Sequence, residues 1–158
     1  MEEHRWNRLA TRMHGFHSYL LSELNSIYNL ADGTYTRRGM SLSQYLRQAS
    51  EFRSHLEMHH NIEERYIFPV LAQRMSVFGD NAKHRNAHAI IHEGMNRLSA
   101  LIGRYQDDHT IYSPVEIRSC LDSFKNVLVS HLAEEEKDLS GENLKQYYTL
   151  AEVDRLPM

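Results

Sequence analysis

The sequence predicts an all-α protein that folds as an antiparallel up-down four-helix bundle with a short C-terminal tail helix. Three observations predict this fold. Apolar residues recur every three or four positions in four long segments, the alternation typical of strands is never sustained, and turn-forming residues separate the segments at three places. The connections are about ten residues or fewer, which favours antiparallel packing of neighbouring helices.

The four predicted helices are of similar length and lie at residues 3–31, 42–76, 81–106 and 114–139. A helix of thirty residues is about 45 Å long, so four of them can form one bundle. Pro69 lies inside the second helix and predicts a kink, because proline lacks an amide hydrogen and its ring clashes with the preceding turn. We predict a single domain over residues 1–158, with the bundle at about 3–139 and the tail at 140–158.

Capping residues predict where the helices begin. In a capping box, a Ser or Thr hydroxyl accepts an N–H three residues on, and the Glu or Gln there accepts the N–H of the first residue. This pattern occurs at Ser41–Gln44, at Ser113–Glu116 and, opening the tail helix, at Thr149–Glu152. Asp80 is the predicted N-cap of the third helix, since aspartate is a favoured capping residue.

The composition excludes several classes of function. The 158 residues are 41% apolar and 25% charged, with a net charge of -3, so no basic field attracts nucleic acid or an acidic membrane surface. The N-terminal residues lack the apolar core of a signal peptide, and no apolar run is long enough to span a bilayer. The single Cys120 cannot form an internal disulfide, which is typical of a reducing compartment. We therefore expect a cytoplasmic protein.

Each predicted helix carries a row of residues, spaced three or four apart, that would face the centre of the bundle. In the second helix this row continues beyond Leu56 to Tyr66 and Val70. Seven polar residues of two types interrupt the rows: His17, His59, Glu63, His84, His88, His131 and Glu135. In an antiparallel bundle, the start of the third helix lies beside the ends of the second and fourth. These seven side chains are therefore expected to converge on one layer.

Metal cations would explain why such groups point inward. Burying carboxylates and imidazoles without partners costs several kcal/mol for each charge, and dications cancel that cost. A His and a Glu four residues apart share one helix face, which occurs at His59–Glu63 and again at His131–Glu135. Imidazole and carboxylate ligands without thiolate suit iron better than manganese or zinc. The seven residues thus predict a pair of iron ions bridged by two carboxylates.

Other residues of ligand type have simpler interpretations. A single histidine on an apolar face is more often a hydrogen-bonded core residue than a ligand. His55, His60, His92 and the run from Glu134 to Lys137 fall outside the rows, and we interpret them as solvated side chains or as partners of the ligands. Cys120 also lies off the row and is assigned no role.

Four motifs resemble the hemerythrin superfamily, in particular the stand-alone HHE-domain proteins of fungi. They are His17 with the segment that follows it, the block His59-His-Asn-Ile-Glu-Glu-Arg-Tyr-Ile-Phe-Pro69, the histidines of the third helix, and His131-Leu-Ala-Glu-Glu135. The HHxxEExxxFP block is the most specific of these. The tail from Gly141 to Glu152 is similar as well, so the likeness covers almost the whole chain.

This resemblance implies a di-iron centre bridged by Glu63, Glu135 and a solvent-derived oxygen, oxo or hydroxo. His84, His88 and His131 would complete one iron. His17 and His59 would hold the other and leave it a position for dioxygen. Helix three also offers His88 with His92, a pair that some relatives carry, whereas helical phase favours His84 with His88. The final carboxylate is a Glu four residues after its His, as in HHE proteins, and not the Asp of respiratory hemerythrins.

Two classes of function are compatible with this site. A binding protein would hold dioxygen, peroxide or nitric oxide in a dry pocket, for carriage, sensing or iron storage. A di-iron oxygenase or oxidase would act on a small organic substrate and would need a cavity of about 300 Å³ or more. It would also need an external reductase, since the chain has no dinucleotide or flavin fingerprint. A structural role is the third class, which predicts that the fold survives without metal.

Overall fold

A computed structural model describes residues 2–158, and in that range the chain has no strand, which confirms the all-α prediction. The helices are α1 (Glu2–Trp6), α2 (Arg8–Leu30), α3 (Leu42–Ile62), α4 (Phe68–Leu71), α5 (Lys83–Asp107), α6 (Pro114–Asp138), α7 (Gly141–Leu144) and α8 (Leu150–Val153). A π-helical segment, Glu63–Ile67, joins α3 to α4, and 3-10 turns lie at Thr34–Arg38, Ser76–Phe78 and His109–Ile111. Residues 2–158 include no helix with the length and apolar character that crossing a bilayer requires.

The four long helices form a closed ring of contacts around the core. Helix α2 packs against α3 and α6, and α5 packs against the same two helices. The buried apolar side chains form two clusters. The upper cluster includes Leu20, Phe52, Leu56, Met95, Phe124 and Leu128, and the lower cluster includes Leu9, Met13, Phe68, Phe78, Leu139 and Val153. On α2, His17 lies between residues of the two clusters, and on α6 Glu135 lies between Leu132 of the upper cluster and Leu139 of the lower one.

The end of the second predicted helix differs from the prediction. The Phe68 N–H bonds to the carbonyl of Glu63, five residues back, so the segment is π-helical. A π segment before Pro69 is reasonable, because the proline cannot donate a bond and its ring clashes with the i-4 carbonyl. The wider turn shifts the helix face by one residue. Tyr66 is consequently 60% exposed, and Ile67 is buried in its place.

The same shift affects the last turn of this helix. Val70, predicted in the core row, is exposed, and Leu71 is fully buried. The α-helix then ends at Leu71, five residues before the predicted end at residue 76. The predictions that Tyr66 and Val70 face the core were therefore wrong.

Two of the predicted capping boxes begin α3 and α6, and they differ in outcome. The Ser41 hydroxyl accepts the Gln44 N–H, and the Gln44 side chain accepts the Ser41 N–H, which confirms the first box. The Ser113 hydroxyl accepts the Glu116 N–H at 3.1 Å. The Glu116 carboxylate, however, accepts the hydroxyl of Tyr105 from α5. Only half of the second box is present, because the carboxylate joins α5 to α6.

The N-cap predicted for α5 is absent, whereas the one predicted for α8 is present. Asp80 is not the cap of α5, since the helix begins at Lys83 after an extended Ala82 with no side-chain cap. The Asp80 carboxylate lies 3.4 Å from the guanidinium of Arg85. Thr149 and Glu152 form the complete capping box predicted for the tail helix, α8.

Cys120 is buried in the upper cluster, which corrects its assignment outside the core. Its sulfur lies 3.9 Å from the carbonyl oxygen of Gly94 on α5. Because Gly94 has no side chain, α6 lies close to α5 at this point. Residues of α6 beside the predicted row, such as Cys120, are therefore buried as well. The core face of α6 is therefore wider than one row of residues.

Candidate metal centre

A polar layer separates the two apolar clusters. Six of the seven predicted ligand residues are buried, namely His17, Glu63, His84, His88, His131 and Glu135, and the side chain of His59 is 13% exposed. The π-helical segment begins at Glu63, and α3 contributes His59 one turn earlier. The layer thus receives side chains from α2, α3, α5 and α6 at one level of the fold.

The first group of ligand atoms in this layer comes from His17, His59, Glu63 and Glu135, whose donor atoms all lie within 4.8 Å of one another. The His17 Nε2 lies 3.1 Å from Glu135 Oε1, and the His59 Nε2 lies 3.4 Å from Glu63 Oε1. Two imidazoles and two carboxylates at this spacing can surround one cation.

A second group lies on the other side of Glu63. It contains His60, Glu63, His88 and His131, again with donor atoms within 4.8 Å of one another. The His88 Nε2 is 3.4 Å from Glu63 Oε1 and 3.0 Å from the His131 Nε2. A third, overlapping group joins His84, His131 and Glu135. All seven predicted residues therefore lie in these groups, together with His60.

Several donor atoms in the layer have no hydrogen-bond partner although they are buried. Among the described residues these include the Nε2 atoms of His17, His59 and His60 and both carboxylate oxygens of Glu63 and Glu135. A buried polar atom without a partner costs about 1–3 kcal/mol. So many of them, all of metal-ligating type and facing one another, fit a site that holds cations.

Burial determines the protonation of the imidazoles. Desolvation lowers the pKa of His59 to about 4, that of His131 to about 4 and that of His88 to about 3. All three rings are consequently neutral at pH 7. Neutral imidazole is the form that binds a metal ion.

The two buried carboxylates have opposite tendencies. Burial, and then the charge of Glu135, raise the pKa of Glu63 well above its ordinary value. Burial would also raise the pKa of Glu135, but the contacts from Glu63 and His17 outweigh burial and lower it. Without a cation, the pair can be buried together only if Glu63 keeps its proton. Divalent cations would remove that requirement, because they favour the ionised form of both groups.

Carboxylates outside the layer orient two of the histidines. The Nδ1 of His17 lies 2.9 Å from Glu136 Oε2, and the Nε2 of His84 lies 2.7 Å from Asp138 Oδ2. An ionised carboxylate only accepts hydrogen bonds, so each of these ring nitrogens donates. The opposite nitrogen of His17, Nε2, lies in the layer 3.1 Å from Glu135 Oε1, an arrangement typical of metal sites with a carboxylate behind the ligating His. Glu136 is thus the hydrogen-bond partner of a predicted ligand, whereas Glu134 is exposed beside Lys83.

His60 is the residue that the sequence analysis missed. It is 7% exposed and belongs to the second group of ligand atoms, although it lies outside the predicted row. No local pattern marked it, because His60 lies one position beside the row, and only the packing of α5 and α6 brings the rings of His88 and His131 against it. His92, in contrast, is exposed and belongs to none of these groups, while His84 is buried and belongs to one.

The geometry can be compared with known proteins. The family model described as "Hemerythrin HHE cation binding domain" matches residues 8–141, which is most of the chain. The chain belongs to the hemerythrin HHE family. The ring of long helices and the inward layer of His and Glu are thus those of a hemerythrin cation-binding domain.

One curated relative is a fungal protein. It is "Dimeric xanthone biosynthesis cluster protein R11" from a Cryptosporiopsis species, which is 29% identical over 152 residues. The match covers 91% of this chain but 56% of the relative, so this chain spans little more than half of that protein's length. No solved structure matches the chain closely enough to extend the comparison.

Proposed function

We propose that this hemerythrin domain holds two non-haem iron ions, bridged by Glu63, Glu135 and a solvent-derived oxygen, and binds dioxygen or a related ligand such as peroxide or nitric oxide. One observation carries the proposal. Glu63 belongs to both the first and the second group of ligand atoms, and Glu135 belongs to both the first and the third. A carboxylate that two adjacent groups share is suited to bridging two cations.

The positions of the carboxylate oxygens support the bridges. Glu63 Oε1 lies 3.4 Å from a nitrogen of His59 on one side and 3.4 Å from a nitrogen of His88 on the other. Glu135 directs Oε1 to His17, at 3.1 Å, and Oε2 to His131, at 3.4 Å. Each carboxylate therefore lies between the histidines of two groups.

We also propose that the four long helices form an antiparallel up-down bundle. Contacts between α2 and α3 support this, since Tyr45 near the start of α3 bonds to the Ile27 carbonyl near the end of α2, and His59 contacts His17. In the same way, Lys83 at the start of α5 pairs with Glu134 near the end of α6. These pairs bring the ligand residues of all four helices to the same level.

The two proposed irons differ in the number of histidines that could ligate them. The first group contains only His17 and His59, whereas His84, His88 and His131 serve the other side of the layer. A cation with fewer protein ligands keeps a position for a small exogenous ligand. Above the layer, the apolar side chains of Leu20, Leu24, Phe52, Leu56, Met95 and Leu128 are buried and exclude water from the site. Iron supplies the ability to bind and reduce dioxygen when it is present.

Metal analysis combined with an optical spectrum tests the proposal. The full chain, purified from cells supplied with iron, should contain about two irons, and its spectrum should change on anaerobic reduction and recover on admission of oxygen. A protein that takes up only zinc under these conditions, or an iron-loaded protein whose spectrum does not respond to oxygen, would contradict the proposed function.

An oxygenase or oxidase acting on a small organic substrate is the second candidate. Two observations favour it: a cavity of about 530 Å³ adjoins His59 and Glu63, and the relative's name places it in a cluster for dimeric xanthone biosynthesis. This activity would need electrons from an external reductase. Turnover of oxygen that requires both a reductant and an organic compound would favour the enzyme, and reversible binding without them would favour the carrier or sensor.

A further inference from the structure

We propose that the cavity between α2, α3 and the π-helical segment binds a planar aromatic molecule that carries a hydroxyl group, with its ring against the imidazole of His59. The binding site itself requires only the helices and the side chains described below. The position of this molecule beside an iron ion rests on the proposed function.

The cavity has a volume of about 530 Å³ and walls that are nearly all carbon. Five large apolar side chains line it while remaining exposed to solvent by 45–60%: Phe16, Tyr19, Met58, Ile62 and Tyr66. A concentrated, exposed apolar surface of this kind on a small domain usually marks a binding site. The volume lies in the range of cavities that hold small organic ligands.

The inner end of the cavity distinguishes it from a surface for a partner protein. His59 and Glu63 line this end, and both belong to the first group of metal-ligating atoms. An occupant that fills the cavity would therefore reach the polar layer of the fold. A small molecule of that volume can do so, because the lining of the cavity extends to these two buried or nearly buried side chains.

The aromatic side chains around the cavity favour a flat occupant. The rings of Phe16 and His59 have centroids 6.0 Å apart and are tilted by 51°, and those of Tyr19 and His55 are 5.7 Å apart and tilted by 52°. These spacings are within the range over which aromatic rings attract one another in tilted arrangements. All four rings line the cavity, so a planar ring inside it would have aromatic side chains among its walls.

His55 supplies a reason for the hydroxyl group. Its Nδ1 lies 2.8 Å from a carboxylate oxygen of Glu23 and donates its hydrogen there. His55 also lines the cavity, one helical turn before His59. The Nε2 atom can therefore bond to a phenolic hydroxyl, which is able both to donate and to accept a hydrogen bond. Glu23 is well covered and orients the ring, with its side chain 12% exposed.

Binding of 2-naphthol to the iron-loaded full chain, measured by titration calorimetry, tests this site. Naphthalene serves as the matched probe without a hydroxyl group. We expect 2-naphthol to bind at one site per chain, at least fivefold more tightly than naphthalene. The His55→Phe variant keeps a ring but loses both ring nitrogens, and it should remove this preference while still binding both probes.

A second variant fills the cavity. Gly15 lines it, and a Cβ added there meets no atom within 4 Å, so the Gly15→Phe side chain can begin there without a backbone clash in α2. Gly103 on α5 is the control, because a Cβ there also meets nothing within 4 Å and the residue is remote from the cavity. We expect 2-naphthol binding to weaken at least tenfold in Gly15→Phe and to stay unchanged in Gly103→Phe, with equal iron content in both.

Three results would overturn the inference. They are an iron-loaded wild type that does not bind 2-naphthol, a Gly15→Phe variant that binds it as tightly as the wild type, and a dimer that covers this face and separates in Gly15→Phe. The first of these leaves the proposed function intact. Conversely, a chain that binds 2-naphthol with the expected effects of both variants but takes up no iron supports the cavity site and contradicts the proposed function.

Discussion

The imidazole rings of His60 and His88 stack face to face, with centroids 3.7 Å apart and planes inclined by 14°. Such a stack is stable only if the rings are not both charged. Burial, together with the charges of neighbouring histidines, lowers the pKa of His60 well below its ordinary value and that of His88 to about 3. The two rings are therefore held neutral, and the Nε2 of His60 remains without a partner beside Glu63.

Replacing His60 separates its packing from its role as a ligand. The His60→Phe variant keeps a flat ring against His88 but removes both nitrogens. We expect its melting temperature without metal to change little and its affinity for Fe²⁺ to fall at least tenfold, measured by competition with a chelator. His92→Phe, on the exposed face of α5, is the control. An unchanged affinity in His60→Phe would show that His60 only packs.

Glu63→Gln should have opposite effects on the metal-free and the metal-loaded protein. Without metal, the change removes a buried carboxyl group whose ionisation is opposed by burial and by Glu135, so we expect the variant to gain about 1–3 kcal/mol of unfolding free energy. With Fe²⁺, the variant should be less stable than the wild type, because metal binding contributes to folding. Denaturant titrations with and without Fe²⁺ measure both.

The control for this prediction is Glu51→Gln, an exposed position on the same helix. Glu64 is less suitable although it lies outside the core row, because its carboxylate is 3.7 Å from His88 Nδ1. A Glu63→Gln variant that is stabilised by Fe²⁺ as much as the wild type would remove Glu63 from the site.

Glu136→Ala should weaken the site without removing a ligand. The Glu136 carboxylate bonds to the Nδ1 atoms of both His17, at 2.9 Å, and the exposed His14, at 2.6 Å. Loss of a carboxylate behind a ligating His typically costs 10–100-fold in metal affinity, and we expect a decrease of about that size. Glu134→Ala changes the exposed partner of Lys83 on the same helix and should leave the Fe²⁺ affinity as it is. Equal affinities of the two variants would exclude the orienting role.

The metal-free protein should lose stability on mild acidification. Burial lowers the folded-state pKa of His59 and His131 to about 4 and that of His88 to about 3, whereas in the unfolded chain each is about 6.5. The unfolded state therefore binds more protons as the pH falls. The stability that the buried neutral imidazoles contribute is fully present above pH 6.5 and is lost as the pH falls from 6.5 to about 4 or 3. Each net proton corresponds to about 1.4 kcal/mol per pH unit.

Glu63 acts in the opposite direction, since its raised pKa favours the folded state as the pH falls. Four histidines, these three and His60, against one glutamate still leave a net loss of stability from pH 7 to pH 5. Urea denaturation of the metal-free chain at pH 7, 6 and 5 measures it. Stability that rises or stays constant over this range would mean that the imidazoles are not held neutral by burial.

Gly94 should tolerate no side chain, because the Phe124 side chain of α6 packs directly against it. A Cβ at Gly94 would lie 2.5–2.8 Å from three carbon atoms of Phe124, including its Cβ, so the helix itself would have to move. Gly94→Ala should destabilise the protein by about 1–3 kcal/mol. At Gly103 the same change meets open space and should stabilise it by up to about 1 kcal/mol, since alanine is the better helix former. Thermal unfolding of the two variants gives the comparison.

Helical spacing was sufficient for much of the fold and for seven of the eight His and Glu residues that the polar layer brings together. Local patterns predicted helices over nearly the right segments, and they picked out His17, Glu63 and Glu135 as polar residues of the core, because a helix repeats every 3.6 residues whatever it packs against. The spacing failed after Glu63, where the π-helical turn adds one residue to the helix period. Tyr66 was for that reason predicted to be buried and is exposed.

The sequence by itself determined that the chain is helical, that it belongs with the HHE proteins, and that His and Glu interrupt its core rows. These features depend on residues close together in the chain. Only the tertiary structure decided that His60 faces the layer and that a carbon-lined cavity adjoins His59. Both depend on side chains from different helices and on the local width of one turn. Distances between helices follow from how the whole core packs, which no single segment encodes.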